Sequence, residues 1–118
     1  MSTQTNLIET PESVVTPETA QEALVEMTEV VGRKWHPVIL QLLGARGTMG
    51  FNDLKEEINH ISSKVLADSL DRLESRHELV ERRVVNEKPV RVEYALTDRG
   101  RDLEPVVTAM RDWGLEHL

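Results

Sequence analysis

The sequence of 118 residues contains no cysteine. Disulfide bonds, thiolate zinc sites, thiol nucleophiles and thiol redox sensors are therefore excluded. No apolar run approaches the roughly 18 residues of a membrane-spanning helix, and the N-terminus lacks the basic and apolar regions of a signal peptide. We expect a soluble, cytoplasmic protein without a membrane partner, and its length fits a single domain.

The sequence also lacks the signatures of an enzyme. Its four histidines, at positions 36, 60, 77 and 117, do not have metal-ligand spacing, and there is no Gly-x-Ser-x-Gly motif. The loop from Gly44 to Gly50 contains three glycines, but it lacks the Gly-Lys-Ser/Thr that ends a phosphate-binding loop. We expect no catalytic residues, no metal site and no cofactor.

Basic residues are scarce: the chain has 14 Lys and Arg and 21 Asp and Glu, which gives a net charge of −7. That balance counts against a nucleic-acid partner, but it is uneven along the chain. The segment from Ser62 to Arg101 has nine basic and eight acidic residues, a net charge of +1. The rest of the chain has five basic and thirteen acidic residues, a net charge of −8. An acidic surface is also typical of adaptation to high salt, which points to a halophilic archaeon as the source.

The segment Ile61–Arg76 predicts a helix with two different faces. Leu66, Leu70 and Leu73 recur at helical spacing and form an apolar stripe. The polar side could read base edges in a DNA major groove; its candidate residues are Ser62, Ser63, Lys64, Asp68 and Arg72, with Ser62 also the expected N-cap. For this segment alone, the commoner interpretation is a solvated surface helix in which Arg72 pairs with Asp68.

The flanking sequence predicts a helix-turn-helix around this segment. Residues 1–15 are polar and are expected to form a flexible N-terminal arm, and residues 16–118 the folded domain. A first helix should begin at Thr16 or Pro17, with Thr16 as its cap and Pro17 at its first helical position, and a buried second helix should have Pro37 in its first turn. A short helix over Phe51–Ile58 then precedes the central helix by one tight turn.

After Arg76 the pattern changes to strands. Leu79–Val85 and Val90–Leu96 are rich in β-branched residues, and residues 86–89 should join them as a hairpin loop. A helix-turn-helix followed by a hairpin is a winged helix, an α+β fold that is mainly α. The basic residues expected to line the wing's approach to phosphates are Arg82, Arg83, Lys88 and Arg91.

The first and last helices are expected to hold two copies of the chain together. Thr97 should cap the last helix, which Gly100 and Pro105 should loosen or kink. Both helices carry apolar residues that so short a chain has little surface of its own to cover, although ordinary core packing is the simpler alternative. The predicted interface residues are Leu24, Met27, Val31, Val107, Met110 and Trp113.

Several motifs occur together in order: Val31-Gly-Arg-Lys-Trp35, Phe51–Leu54, Ile61–Lys64, Pro89–Thr97 with Gly100, and Trp113-Gly114. On these motifs the chain resembles the HxlR family of winged helix-turn-helix transcription regulators from bacteria and archaea. The resemblance covers about residues 20–117. It implies a homodimer held by the first and last helices, and binding to double-stranded DNA through the fourth helix and the wing.

The chain departs from the family pattern in two ways. Many relatives carry a cysteine near the first helix, which some use as a redox or electrophile sensor, and none is present here. The family mechanism of sensing is therefore not implied, and the effector is unknown. Relatives also usually leave the fourth helix through a glycine, whereas this exit reads Ser75-Arg-His-Glu-Leu79 with one extra residue, so the sequence leaves the angle of the wing open.

Two functions remain open from the sequence. The first is a regulator that binds a pseudo-palindromic operator as a homodimer. The second is a winged-helix interaction module that docks on transcription machinery without reading DNA sequence. The acidic net charge, with Asp68 and Asp71 on the central helix, favours the second, whereas Lys64 and the basic wing favour the first.

Overall fold

The computed structural model describes residues 15–118, except for the side chains of residues 86 and 87. The predicted N-terminal arm therefore lies outside the described residues apart from Val15. The elements follow in the order α1 (Pro17–Val31), α2 (His36–Arg46), β1 (Met49–Gly50), α3 (Phe51–Glu57), α4 (Ser63–Ser75), β2 (Val80–Glu87), β3 (Val90–Leu96) and α5 (Asp98–His117). This is the predicted winged helix-turn-helix, with α3 and α4 as the helix pair and β2–β3 as the wing.

Three hydroxyl side chains begin the helices that they were predicted to cap. Thr16 accepts a hydrogen bond from the Thr19 amide at 3.1 Å, and Ser62 accepts one from the Val65 amide at 3.1 Å. Thr97 accepts from the Gly100 amide at 3.0 Å. Each bond satisfies a first-turn N–H that has no partner within the helix, which typically stabilises the helix by about 1 kcal/mol.

The sheet has three antiparallel strands in the order β1-β3-β2. β3 has the predicted bounds, but β2 continues to Glu87, because cross-strand pairing resumes beyond a bulge between Val84 and Asn86. The turn of the wing is therefore formed by residues 88–89, and the predicted four-residue loop over 86–89 is wrong. A bulge adds one residue to one strand and increases the local twist of the hairpin.

The core is formed where α2, α3, α4, the sheet and one turn of α5 meet. Leu66, Leu70 and Leu73 are buried, as their spacing predicts. Burying one such side chain stabilises the fold by about 1.5–3 kcal/mol. The remaining buried apolar residues of the cluster are Ile39, Leu40, Leu43, Met49, Leu54, Ile58, Ile61, Leu79, Val80, Leu96 and Val107.

Helix α5 runs from Asp98 to His117 without a break. The sequence had predicted that Gly100 and Pro105 would loosen or kink it. Gly100 lies in the first turn, where its N–H bonds to the Thr97 cap. Pro105 removes one helical hydrogen bond, and α5 as a whole packs against α2. Within residues 15–118, no helix combines the length and apolar character needed to cross a bilayer.

Candidate nucleic-acid interface

The outward face of α4 is polar and is fixed at its N-terminal end by the Ser62 cap. Ser63, Lys64 and Asp68 are exposed on the first two turns. The Lys64 ammonium donates to the Asp68 carboxylate at 2.9 Å, one helical turn away. An exposed pair of this kind contributes little to stability, so a phosphate or a base edge can compete for the Lys64 ammonium.

Arg72 lies apart from these residues. Its side chain is half-buried, and Asp68 pairs with Lys64 rather than with Arg72. The Arg72 guanidinium is close enough to His36 and His77 to help lower the pKa of both imidazoles, although burial is the main cause of each shift. Arg72 therefore lies at the inner edge of the predicted base-reading face, towards α2.

The four basic wing residues do not share one face. Arg82 and Arg83 are adjacent in β2, and successive side chains in a strand point to opposite faces. Arg82 lies opposite Tyr94 on the face that packs towards the core, whereas Arg83 lies opposite Glu93 on the other face. We therefore expect Arg83, Arg91 and the exposed Lys88 at the turn to approach one partner surface, without Arg82.

Acidic neighbours reduce the positive charge of the wing. Arg83 is paired with Glu81, and Arg91 lies 3.5 Å from the Glu93 carboxylate. Residues 80–96 include four basic residues (Arg82, Arg83, Lys88 and Arg91) and three acidic ones (Glu81, Glu87 and Glu93), which gives this segment a net charge of +1. The wing is basic relative to the rest of the chain, but phosphates must compete with carboxylates for two of its arginines.

The exit from α4 contains no glycine and is fixed by hydrogen bonds from α5. Glu78 adopts a positive φ of 56°, the left-handed conformation that glycine adopts at no cost. The hydroxyl of Thr97 donates to the Glu78 carbonyl at 2.7 Å, and the Thr97 amide donates to the Leu79 carbonyl at 3.1 Å. The Arg99 side chain donates to the His77 carbonyl at 2.9 Å. The start of α5 thus holds three successive carbonyls of the exit and sets the angle between α4 and the wing.

Gly100 allows this close approach. A Cβ atom at Gly100 would lie 2.2 Å from the carbonyl oxygen of Leu79, a backbone atom that cannot swing away as a side chain can. The first turn of α5 can therefore reach the start of β2 only because residue 100 has no side chain. The close approach of α5 to β2 therefore requires a glycine at position 100.

Comparison with known proteins decides the family. The model of the HxlR-like helix-turn-helix family matches residues 30–118. The chain belongs to this family. The family assigned from the sequence motifs is thus confirmed, and so is the winged helix-turn-helix fold.

Proteins similar to this HxlR-family chain are named as transcriptional regulators. YdzF of Bacillus subtilis is 37% identical over 97 residues, which cover 81% of this chain and 88% of YdzF. YodB of the same organism is 39% identical over 84 residues, covering 71% and 73% of the two chains. The structure of the redox regulator HypR in its oxidized form has a TM-score of 0.74 at 31% identity, covering 81% of this chain and 97% of HypR.

In this HxlR-family chain, much of α1 and the end of α5 are exposed to solvent. No residue of α1 is buried, and Leu24, a predicted interface residue, is 69% exposed. At the other end of the chain Trp113 is 60% exposed and Met110 is also exposed, while Met27 and Val31 are half-buried. These five predicted interface residues are therefore accessible to a partner to different degrees.

Val107 was predicted to lie at the dimer interface, but its side chain is not exposed to a partner. It is only 4% exposed and packs in the core of its own chain. Helical spacing placed Val107 and Met110 on one side of α5, but α2 packs against that helix and covers Val107. The exposed apolar surface of α5 is therefore limited to Met110 and the last two turns of the helix.

A contact between two histidines, close to Arg72, was not expected from the sequence. His36 is buried in the first turn of α2, and its ring meets the ring of His77 edge to face, with centroids 5.9 Å apart. The two histidines are 41 positions apart, so only the tertiary fold brings them together. Within residues 15–118, no three His, Asp or Glu side chains are arranged to hold a metal ion.

Proposed function

We propose that this protein is a DNA-binding transcription regulator that acts as a homodimer on double-stranded DNA in the cytoplasm. The observation that supports it best is α4, a Ser62-capped helix with Ser63, Lys64 and Asp68 exposed on its first turns. An α-helix fits the DNA major groove, where such side chains read base edges. The wing begins at β2, the strand that packs against α4, and Lys88 and Arg91 on it are suited to phosphate contacts.

The proposed operator follows from the symmetry of a dimer. Two copies related by a two-fold axis present two α4 helices, so the site should be a pseudo-palindrome with half-sites separated by whole turns of about 10–10.5 base pairs. Phosphate contacts fix the register, and base contacts carry the sequence information.

A second function is favoured by one specific observation. The basic residues Lys64, Arg83 and Arg91 each have a carboxylate partner, and the chain carries a net charge of −7. A surface of paired charges suits a protein partner as well as DNA. The alternative is therefore a winged-helix interaction module that docks on transcription machinery without reading sequence.

The two functions predict different responses to DNA and salt. We expect the protein to bind a duplex from the region upstream of its own gene more tightly than a scrambled duplex of equal length and composition. Its affinity should fall as salt rises, because phosphate contacts release counterions. The measurement is a gel-shift titration of both duplexes at three salt concentrations. Equal, weak binding to both duplexes at every salt concentration would instead support the interaction module.

The dimer is proposed from the exposed apolar surfaces of α1 and α5. The Cα radius of gyration is 16.3 Å, whereas a compact chain of about 100 residues has one of about 13 Å. Large exposed apolar patches are rare on monomeric proteins. A second copy that packs its α1 and α5 on those of the first would cover Leu24, Met110 and Trp113 together.

We expect Trp113→Ala to dissociate the dimer while each chain keeps its winged helix. A buried tryptophan at an interface contributes about 2 kcal/mol or more, and a symmetric dimer contains two copies of Trp113, so the dimer dissociation constant should rise by about a thousandfold. Light scattering and analytical ultracentrifugation over a dilution series measure this constant, and circular dichroism checks the fold. The matched control is Val90→Ala, which truncates an equally exposed apolar side chain on the wing. A wild-type chain that is a folded monomer at micromolar concentration contradicts the proposal.

A further inference from the structure

His36 connects the end of α1 to the start of α2. Its side chain is 1% exposed, and its Nδ1 lies 2.8 Å from the carbonyl oxygen of Val30. Because a carbonyl can only accept, Nδ1 must carry the proton and donate it. Val30 is in the last turn of α1, where carbonyls have no partner within the helix, so His36 acts as a side-chain cap for the C-terminal end of α1.

The second residue of this connection is His77, which contacts His36 and lies at the exit from α4. Its amide donates to the Arg72 carbonyl at 3.2 Å, and its carbonyl accepts from Arg99 on α5 at 2.9 Å. Its ring packs edge to face on the His36 ring at an interplanar angle of 74°. The Nε2 atom of His77 is buried and has no hydrogen-bond partner among residues 15–118. A continuous path of contacts therefore runs from α1 through His36 and His77 to the end of α4.

The surroundings of the two rings favour the neutral form. Burial is the main reason why the pKa of each imidazole is lowered from the ordinary 6.5. Arg33 and Arg72 lower the pKa of His36 further, whereas its hydrogen bond to Val30 raises it. The charged groups around His77 are Arg76 and Arg72 from the end of α4, Arg99 from α5 and Glu29 from α1, of which Glu29 alone raises its pKa. Each histidine also faces the other, so a proton on one ring would oppose a proton on the second.

We propose that His36 and His77 are positioning residues for DNA binding, which hold the exit of α4 against the end of α1 only while both rings are neutral. A proton on His36 must be added at Nε2, because Nδ1 already donates to Val30. A proton added to His77 would put charge on a ring whose Nε2 is buried without a partner. Both changes favour separation of the rings, and separation frees the end of α4 from the helix that we assign to the dimer.

The direction of the pH effect follows from the lowered pKa values. When pH falls below 6.5, an open arrangement takes up protons that the closed arrangement excludes, so the closed arrangement is lost progressively with acid. A difference of one pKa unit between the two arrangements corresponds to a tenfold shift in their ratio at low pH. The inference rests on the proposed DNA-binding function, because α4 is taken as the helix that enters the groove.

The test compares DNA affinity at pH 7.5 and 5.5 in the full-length protein. The variant His36→Asn with His77→Phe keeps a donor near the Val30 carbonyl and a ring at position 77, but it cannot titrate. The matched control is His60→Asn, which removes an exposed histidine at a positive φ of 68°, where asparagine is well tolerated. We expect the wild type and the control to lose at least tenfold in affinity on acidification, and the double variant to lose less than threefold. A wild type without the acid loss, or a double variant with the full loss, overturns the inference.

A second measurement does not depend on DNA or on the folding of the variant. In the wild-type protein, NMR titration should show His36 and His77 titrating below pH 6.5, with shifts of the Val30 and Arg72 amides at the same midpoint. Titration of both rings at 6.5 or above, or without those amide shifts, overturns the inference. If the wild type binds no DNA at pH 7.5, the proposed function fails, and the NMR titration still decides whether the pair couples α1 to α4.

Discussion

Gly100→Ala should destabilise the protein by about 3 kcal/mol, at the upper end of the usual cost of overpacking. The new methyl group would lie 2.2 Å from the Leu79 carbonyl oxygen, so the first turn of α5 would have to move away from the start of β2. That movement would break the bonds from Thr97 to the Glu78 and Leu79 carbonyls. Because a domain of this size is stable by only about 5–15 kcal/mol, the loss should be plain in urea unfolding, and DNA binding should weaken as the wing loses its angle.

Two variants separate this clash from general effects of glycine. Gly44→Ala makes the same substitution in α2, but its Cβ would meet the end of the Glu104 side chain, which can move. Its stability should change by less than about 1 kcal/mol, because alanine also favours the helix. Glu78→Gly removes a left-handed residue from the same junction and should stabilise the protein by about 0.5–1 kcal/mol. Equal stability of Gly100→Ala and wild type would show that the junction is not tightly packed.

Features that depend on a few neighbouring residues could be predicted from the sequence. A cap needs one hydroxyl and the amide three residues later, so Thr16, Ser62 and Thr97 were identified correctly. The stripe of Leu66 and Leu70 follows from helical spacing alone. The bounds of β3 follow from its β-branched alternation and the flanking Pro89 and Thr97.

Features that depend on contacts between distant residues could not be predicted. The extension of β2 to Glu87 needs partners on β3 beyond a bulge, and a bulge leaves no clear mark in composition. Helical spacing shows that Val107 has an apolar neighbourhood, but not whether its own α2 or a second chain supplies it. Glu78 takes a conformation usual for glycine because Thr97 and Gly100, about 20 positions away, fix the exit.

The same limit applies to the candidate site. The sequence shows how many basic residues the wing contains, but not which face of the hairpin each one occupies. The strand register decides this, and it places Arg82 and Arg83 on opposite faces. The pairing of Lys64 with Asp68 follows helical spacing and could have been predicted, but the alternative interpretation of this helix paired Asp68 with Arg72. Arg72 instead lies near the His36–His77 contact, which no local pattern reveals.

The wing and α4 should contribute to DNA binding in different ways. Lys88→Ala should weaken binding to specific and scrambled duplexes alike, because a phosphate contact carries no sequence information. The slope of log affinity against log salt should fall by about 0.9 when one phosphate is no longer neutralised, and by about twice that in a symmetric dimer. Arg91→Ala should have a smaller effect, since Arg91 already shares its charge with Glu93.

Lys64→Ala should instead reduce discrimination between the two duplexes by about 1–3 kcal/mol for each base that Lys64 reads. Its ammonium is held near the groove-facing side of α4 by Asp68, so truncation removes a donor to a base edge and leaves the wing unchanged. The control is Arg46→Ala, which removes one exposed positive charge from the end of α2, outside the proposed DNA surface and outside the two helices assigned to the dimer. Each variant is titrated with both duplexes at several salt concentrations. If Lys88→Ala and Arg91→Ala change neither affinity nor salt slope, the wing does not meet DNA, and the paired charges of this surface are better explained by a protein partner.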